Sequence, residues 1–397
     1  MKAQRWALLA AAALCACGSE LASPFQAVAI TFDVTKQTYK IASVPVRTLS
    51  SLRRLEGSAT VVTSGGSVRV RRAAIKAKGA TVSQLRTAFI TEPASPVQLT
   101  WTVLNDIVYP EDFESLELLS AYYNLEKGRA FISSATPTGG APLLAKPMIA
   151  HARLVDDDGL RPLPDGELYY APLGGFYLPE ITAADQLPAT FNLGAVAHAL
   201  GHEAVEERVW AGAPSPLPEQ GPDKDPDWNS ARHLARSFVE GVADFLGVAA
   251  SGDPLWFNHS RVQGAATRTL DQIHCGSPDM LDALPAIETD APYNPYPLGS
   301  VLAGALWEAS APQDPSKLLV VAKGVLAALP TLGQKAAAAQ GKLSLGTFLD
   351  ALVANAAPEI QPDLCGLFVN RFAQLSVKSG DLPSCAQVAP TAHAECQ

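Results

Sequence analysis

The chain of 397 residues is 48% hydrophobic and 17% charged, with a formal net charge of −9. That composition excludes a disordered chain, and the length allows one large or two to three ordinary domains around a substantial core. Beyond the first residues no stretch offers about 20 uninterrupted apolar residues, so no membrane-spanning helix is expected. The chain also carries no aromatic-interleaved basic patch and no nucleic-acid motif, so no nucleic-acid partner is expected.

The N-terminus, "MKAQRWALLAAAALCAC", places Lys2 and Arg5 before an apolar run from Trp6 to Leu14. The run is too short to span a bilayer and has the form of a secretory signal. Its end, Leu14-Cys15-Ala16-Cys17, resembles a bacterial lipobox, which implies lipidation of Cys17. The competing reading is an ordinary signal with a chance cysteine. Absence of an aspartate after Cys17 points to the outer membrane, as a cell-envelope lipoprotein held through that anchor. Residues 17–105 carry 11 Lys and Arg against 4 Asp and Glu, whereas residues 106–397 carry a net −18. The basic part either meets an anionic membrane surface or consists of solvated strand faces.

Residues 25–105 read as β-rich, with "QAVAITFDV", "ATVVTSGGSVRVRR" and "PVQLTWTVL" as strands and "SGG" at 64–66 as a hairpin turn. A helix is expected over 110–133, and "LVDDDGLRPLPDG" (154–166) as an acidic loop without a full calcium pattern. "GELYYAPLGGFYLPE" (166–180) reads as two short strands. Helices follow over about 193–208, 230–251, 297–311, 315–330 and 345–357. The proline-dense stretch 212–228 must lie outside them. Cys275, Cys365, Cys385 and Cys396 suggest two disulfides in an oxidising compartment, with all three pairings open.

The chemistry concentrates in "AVAHALGHEAVEE" (195–207). His198 and His202 are four apart, so they project from one helical face and can share a tetrahedral metal. That spacing alone is weak. A later helix answers it with "FVEGVADFLG", which places Glu240 four residues before Asp244 on an otherwise apolar surface. A buried carboxylate there needs a cation or hydrogen-bond donors.

Together these two stretches resemble the zinc helix and the "EGxxDf" helix of the gluzincin metallopeptidases, the thermolysin-like and fungalysin-like enzymes. The resemblance covers roughly residues 105–310. It implies an α+β, two-lobed zincin fold: a mixed sheet and active-site helix, then a mainly helical C-terminal lobe. The chain then divides into a signal (1–16), a tether (17–24), the β-rich region (25–105) and an N-terminal lobe (106–211). A Pro-rich loop (212–228), the helical lobe (229–375) and a Cys-containing tail (376–397) complete it. The resemblance also implies Zn2+ bound by His198, His202 and Glu240, with Asp244 orienting a ligand histidine.

Three departures fall on the catalytic side. Ala199 stands where the general base belongs, and losing such a base costs about 10²–10⁴-fold in rate. Glu167 stands where a substrate-binding asparagine is usual. No histidine occurs in "APYNPYPLG", where Tyr293 and Tyr296 could donate a hydrogen bond instead. The pattern implies a pseudo-peptidase that keeps zinc and holds a peptide or protein in its cleft. Two alternatives stand beside it. One is an active zinc endopeptidase with a shifted site, His202 and Glu206 as ligands and Glu203 as base. The other is a metal-free structural lipoprotein. Glu203, Glu206 and Glu207 otherwise read as a solvated or supporting face, and His233 as a surface residue.

Overall fold

The computed structural model describes residues 21, 24–70, 89–91, 94–140, 142–156, 169–171, 175–179, 187–213, 231–260, 268–277, 295–311, 314–393 and 396. Strands β1 (Phe25–Asp33) and β2 (Thr38–Val46) form an antiparallel hairpin, and β10 (Ile107–Pro110) joins β1 in parallel. With β9 (Trp101–Leu104) antiparallel to β10, the four-stranded order is β2-β1-β10-β9. A short pair, β3 (Leu49–Ser51) and β4 (Glu56–Gly57), stands apart from it.

The larger sheet is mixed. Its path is β12 (Tyr169–Ala171), β13 (Gly175–Pro179), β11 (Met148–Asp156), β5 (Val62–Ser64) and β8 (Ser95–Pro96). β6 (Ser67–Val70) also pairs with β11, and β7 (Phe89–Thr91) pairs with β6. Strands from the β-rich region therefore share a sheet with β11–β13. The expected hairpin at 64–66 is not formed. β5 and β6 both run parallel to β11, pairing Ala150 with Ser64 and Arg153 with Ser67. Gly65 and Gly66, with φ of 76° and 83°, carry the chain across a bulge at His151 whose own φ is 52°. Two consecutive left-handed residues fit a tight turn or a jog in one extended line equally well, and pairing with β11 selects the jog.

Seven helices lie among the described residues. α1 (Phe113–Ala135) begins at Asp112, whose carboxylate accepts from the Ser115 N–H at 2.7 Å. It docks on the first sheet, where the Ile30 N–H donates to Ser120 Oγ. α2 (Leu193–Val205) starts at Asn192, whose side chain accepts from the Gly194 N–H, and its end runs on as a π turn over Glu206–Trp210. α3 (Ala231–Ser251) lies against α2 on one side and α4 (Tyr296–Ala309) on the other. α5 (Pro315–Ala338), α6 (Leu345–Asn355) and α7 (Gln361–Arg371) complete the bundle.

By length and composition α5 is apolar enough to cross a membrane, yet half of its most apolar window is buried against the protein. Its Leu326, Leu329 and Leu332 belong to a cluster of buried side chains that reaches from Ala27 to Cys385. Two disulfides fix the C-terminal part, Cys275–Cys396 and Cys365–Cys385. His233 is buried in α3, contrary to its expected surface place, because α3 is enclosed by other elements along most of its length.

Candidate metal centre

Two helices bring the donors together. α2 is almost wholly apolar and has no solvated face along most of its length, so it can lie flat on α3. The approach is close at Gly201, where an added Cβ would fall 2.7 Å from Ala243 Cα. A second close approach, at Gly241 and Gly299, seats α3 on α4 and leaves Glu240 between them.

His198 and His202 face each other with their Nε2 atoms 3.0 Å apart. Glu240 Oε2 lies 3.8 Å from the first and 3.7 Å from the second. All three donor atoms fall within 4.8 Å of one another, and among the described residues no other group of three such side chains does so. A tetrahedral zinc with bonds of about 2.0–2.2 Å sets its donors roughly 3.3 Å apart, so the observed triangle brackets that geometry. Their side chains are 13%, 20% and 16% exposed, so the cluster is largely but not wholly enclosed.

Asp244, one turn beyond Glu240, places Oδ1 2.9 Å from His198 Nδ1. At that distance the carboxylate favours the tautomer with its proton on Nδ1, the form that leaves the Nε2 lone pair for the centre. Burial pushes the His202 imidazole down to about 4. It also lowers His198, against the opposing pull of Asp244. Both rings are therefore neutral at neutral pH, the form that ligates. Burial raises the Glu240 carboxyl, and Arg268 counters it. Burial opposes ionisation of Asp244 as well, but Arg268 and His198 outweigh it and hold its carboxyl below the ordinary range.

Arg268 was not marked out by the sequence. Its guanidinium donates to Asp244 Oδ1 at 2.6 Å, to Asp244 Oδ2 at 3.3 Å, and to Glu240 Oε2 at 3.2 Å. It is clasped between the rings of Phe257 and Tyr296, with Cζ 4.2 Å and 4.1 Å from their centroids. Arg268 precedes an undistinguished stretch, "TLDQIHC", and no spacing links it to either helix motif. Trp256 closes the other side, its ring 5.3 Å from that of His198 and its Cβ against Gly194.

The remaining candidates separate clearly. Ala199 lies inside the apolar cluster, 1% exposed. Tyr296 reaches the site through its stack on Arg268. Tyr293, Glu167 and Cys17 fall outside the described residues. Glu203 turns away from the histidines: it is fully buried, with Oε2 3.2 Å from Arg129 Nη2 on α1. Burial raises its carboxyl to about 7, against the pull of Arg129. Glu206 is buried too, so Glu203 and Glu206 do not form a solvated face: Glu203 lies on α2, which packs against α1, and Glu206 opens the π turn, which packs against α5. Glu207 is the partly exposed member, paired with Lys146 at 3.1 Å.

No protein-family model matches the chain, and no curated protein matches it. Among solved structures, the precursor of protealysin, a metalloproteinase from Serratia proteamaculans, is similar at a TM-score of 0.43 and 13% identity. The match covers 79% of this chain and 90% of that one, a likeness too remote to assign a family.

Proposed function

We propose that the chain binds one zinc ion through His198, His202 and Glu240, and that it is a metallopeptidase-like protein impaired in hydrolysis. The observation that carries this reading is the convergence of three donors from two helices, with Asp244 behind His198. When bound, zinc supplies a Lewis acid that polarises a carbonyl or a water. The protein's own groups hold and orient: Asp244 fixes the His198 tautomer, and Arg268 fixes Asp244. Ala199 offers a methyl group at the position of the proton acceptor and cannot take a proton. Among the described residues β12 is the outer strand of the mixed sheet and packs beside α2, and an outer strand there suits an extended peptide or protein segment. Disulfide chemistry agrees with export. Lipidation at Cys17 would then tether the cleft to the cell envelope, in the outer membrane by the residues that follow it.

The buried, Arg129-paired position of Glu203 speaks against the shifted active site. The test is zinc uptake by the purified chain, read beside hydrolysis of casein or a peptide library. We expect one equivalent of zinc, its loss in His202→Ala, and little or no cleavage. Installing the acceptor as Ala199→Glu should make cleavage appear or rise. Chelator-sensitive cleavage by the unaltered chain would overturn the impaired reading. Absence of zinc uptake would leave the metal-free lipoprotein.

A further inference from the structure

The charge around the donors is unusual for a site that must attract a dication. Glu240 and Asp244 are the carboxyls beside the two imidazoles, and Arg268 sets its guanidinium among them, 3.2 Å from the first and 2.6 Å from the second. It does so on the atoms that matter. Glu240 Oε2, which faces both histidine Nε2 atoms, is the same oxygen that accepts from Arg268 Nη2. Asp244 Oδ1, which faces His198 Nδ1, is the same oxygen that accepts from Nη2 at 2.6 Å. The guanidinium thus draws on lone pairs that the ligand carboxylate gives to a metal and that Asp244 gives to His198. It also repels a dication held a few ångströms away in a poorly screened setting.

Its position is built. Two hydrogen bonds reach Asp244, and the guanidinium carbon lies over the aromatic rings of both Phe257 and Tyr296. A planar, permanently charged group suits that slot as an ammonium would not.

We propose that Arg268 is an attenuator of metal affinity: it weakens the hold of His198, His202 and Glu240 on a divalent cation, so that occupancy follows the supply of free metal. This rests on the metal-binding reading above and deepens it. A purely positioning role, in which Arg268 only keeps Asp244 in place, predicts the opposite sign. Removing the guanidinium would then weaken binding.

The experiment is titration of the full chain with Zn2+ in competition with a chromophoric chelator, with zinc release followed after mixing with excess chelator. Arg268→Met and Arg268→Gln should bind zinc about ten- to a hundredfold more tightly than the unaltered chain and release it correspondingly more slowly. Arg268→Lys, which keeps the charge, should stay closer to the unaltered chain. Unchanged or weaker binding by a folded neutral variant overturns the proposal. Zinc uptake that is lost in His202→Ala secures the site itself whatever the Arg268 result. If neither the unaltered chain nor the neutral variants take up zinc, the metal reading fails and the attenuator with it. Uptake by Arg268→Met alone supports the attenuator in its strongest form. Should both neutral variants unfold, Tyr296→Leu replaces them; loosening the clasp must also tighten zinc, and a weaker or unchanged affinity counts against the proposal.

Discussion

Glu203 follows His202 directly, yet the two side chains serve different neighbourhoods. His202 faces α3, and Glu203 reaches Arg129 on α1. Burial raises the Glu203 carboxyl from an ordinary 4.5 to about 7, so the folded state takes up its proton at a higher pH than the unfolded state. The stability this confers is present below about pH 4.5 and is lost as pH rises toward 7, with a span of about 3 kcal/mol. Glu203→Gln should remove that slope. Urea unfolding across pH 4.5 to 7.5 should show the unaltered chain losing stability relative to the variant as pH rises; parallel curves would contradict the assignment. Side chains tied by local periodicity were legible in the sequence: His198 with His202, and Glu240 with Asp244, each four apart on a helix. Arg268 was not, because its partners come from α3, α4 and the segment before it, and only the assembled fold brings them to it. The burial of His233, Glu203 and Glu206 escaped for a related reason, since a polar residue type says nothing of which helix faces its neighbours cover.

At the level of elements, the junction of α2 and α3 decides whether the donors meet. Gly201→Ala would set a methyl 2.7 Å from Ala243 Cα, and backbone cannot yield as a flexible side-chain tip would. The gain of about 1 kcal/mol in helix propensity is outweighed by overpacking of about 1–3 kcal/mol, which must push the helices apart. Zinc ligation tolerates shifts of only about 0.2 Å, so the variant should bind zinc at least about tenfold more weakly while keeping its helical circular dichroism. Affinity equal to that of the unaltered chain would show the junction to be more compliant than described. Most helices were legible from apolar spacing, including α3 and α4 to within a residue or two. The line through Ser64 was not. Gly65-Gly66 encodes two left-handed residues, whereas the choice of jog over hairpin comes from β11, more than 80 positions later. The π turn after α2 likewise has no local signal, and it is the packing of α5 against Glu206–Trp210 that accompanies it.

Across the whole molecule, the two disulfides differ most in how much chain they enclose. Cys275–Cys396 spans 121 residues and Cys365–Cys385 spans 20. Loop entropy assigns about 5 kcal/mol to the first and about 3 kcal/mol to the second. Denaturant unfolding should therefore find Cys275→Ser more damaging than Cys385→Ser, and the reverse order would point to strain or residual structure as the larger effect. The sequence announced two bridges but not their partners, since four cysteines allow three pairings. The longer bridge also has a local consequence. Cys275 follows Arg268 by seven residues, and Gly276 donates its N–H to the Arg371 carbonyl beside the same bridge. The segment that follows Arg268 is thus fastened twice to the C-terminal part of the chain, once by a covalent bond and once through the backbone of α7. A reductant acting on one exported bridge would therefore loosen the chain next to the arginine while leaving α2 and α3 joined as before.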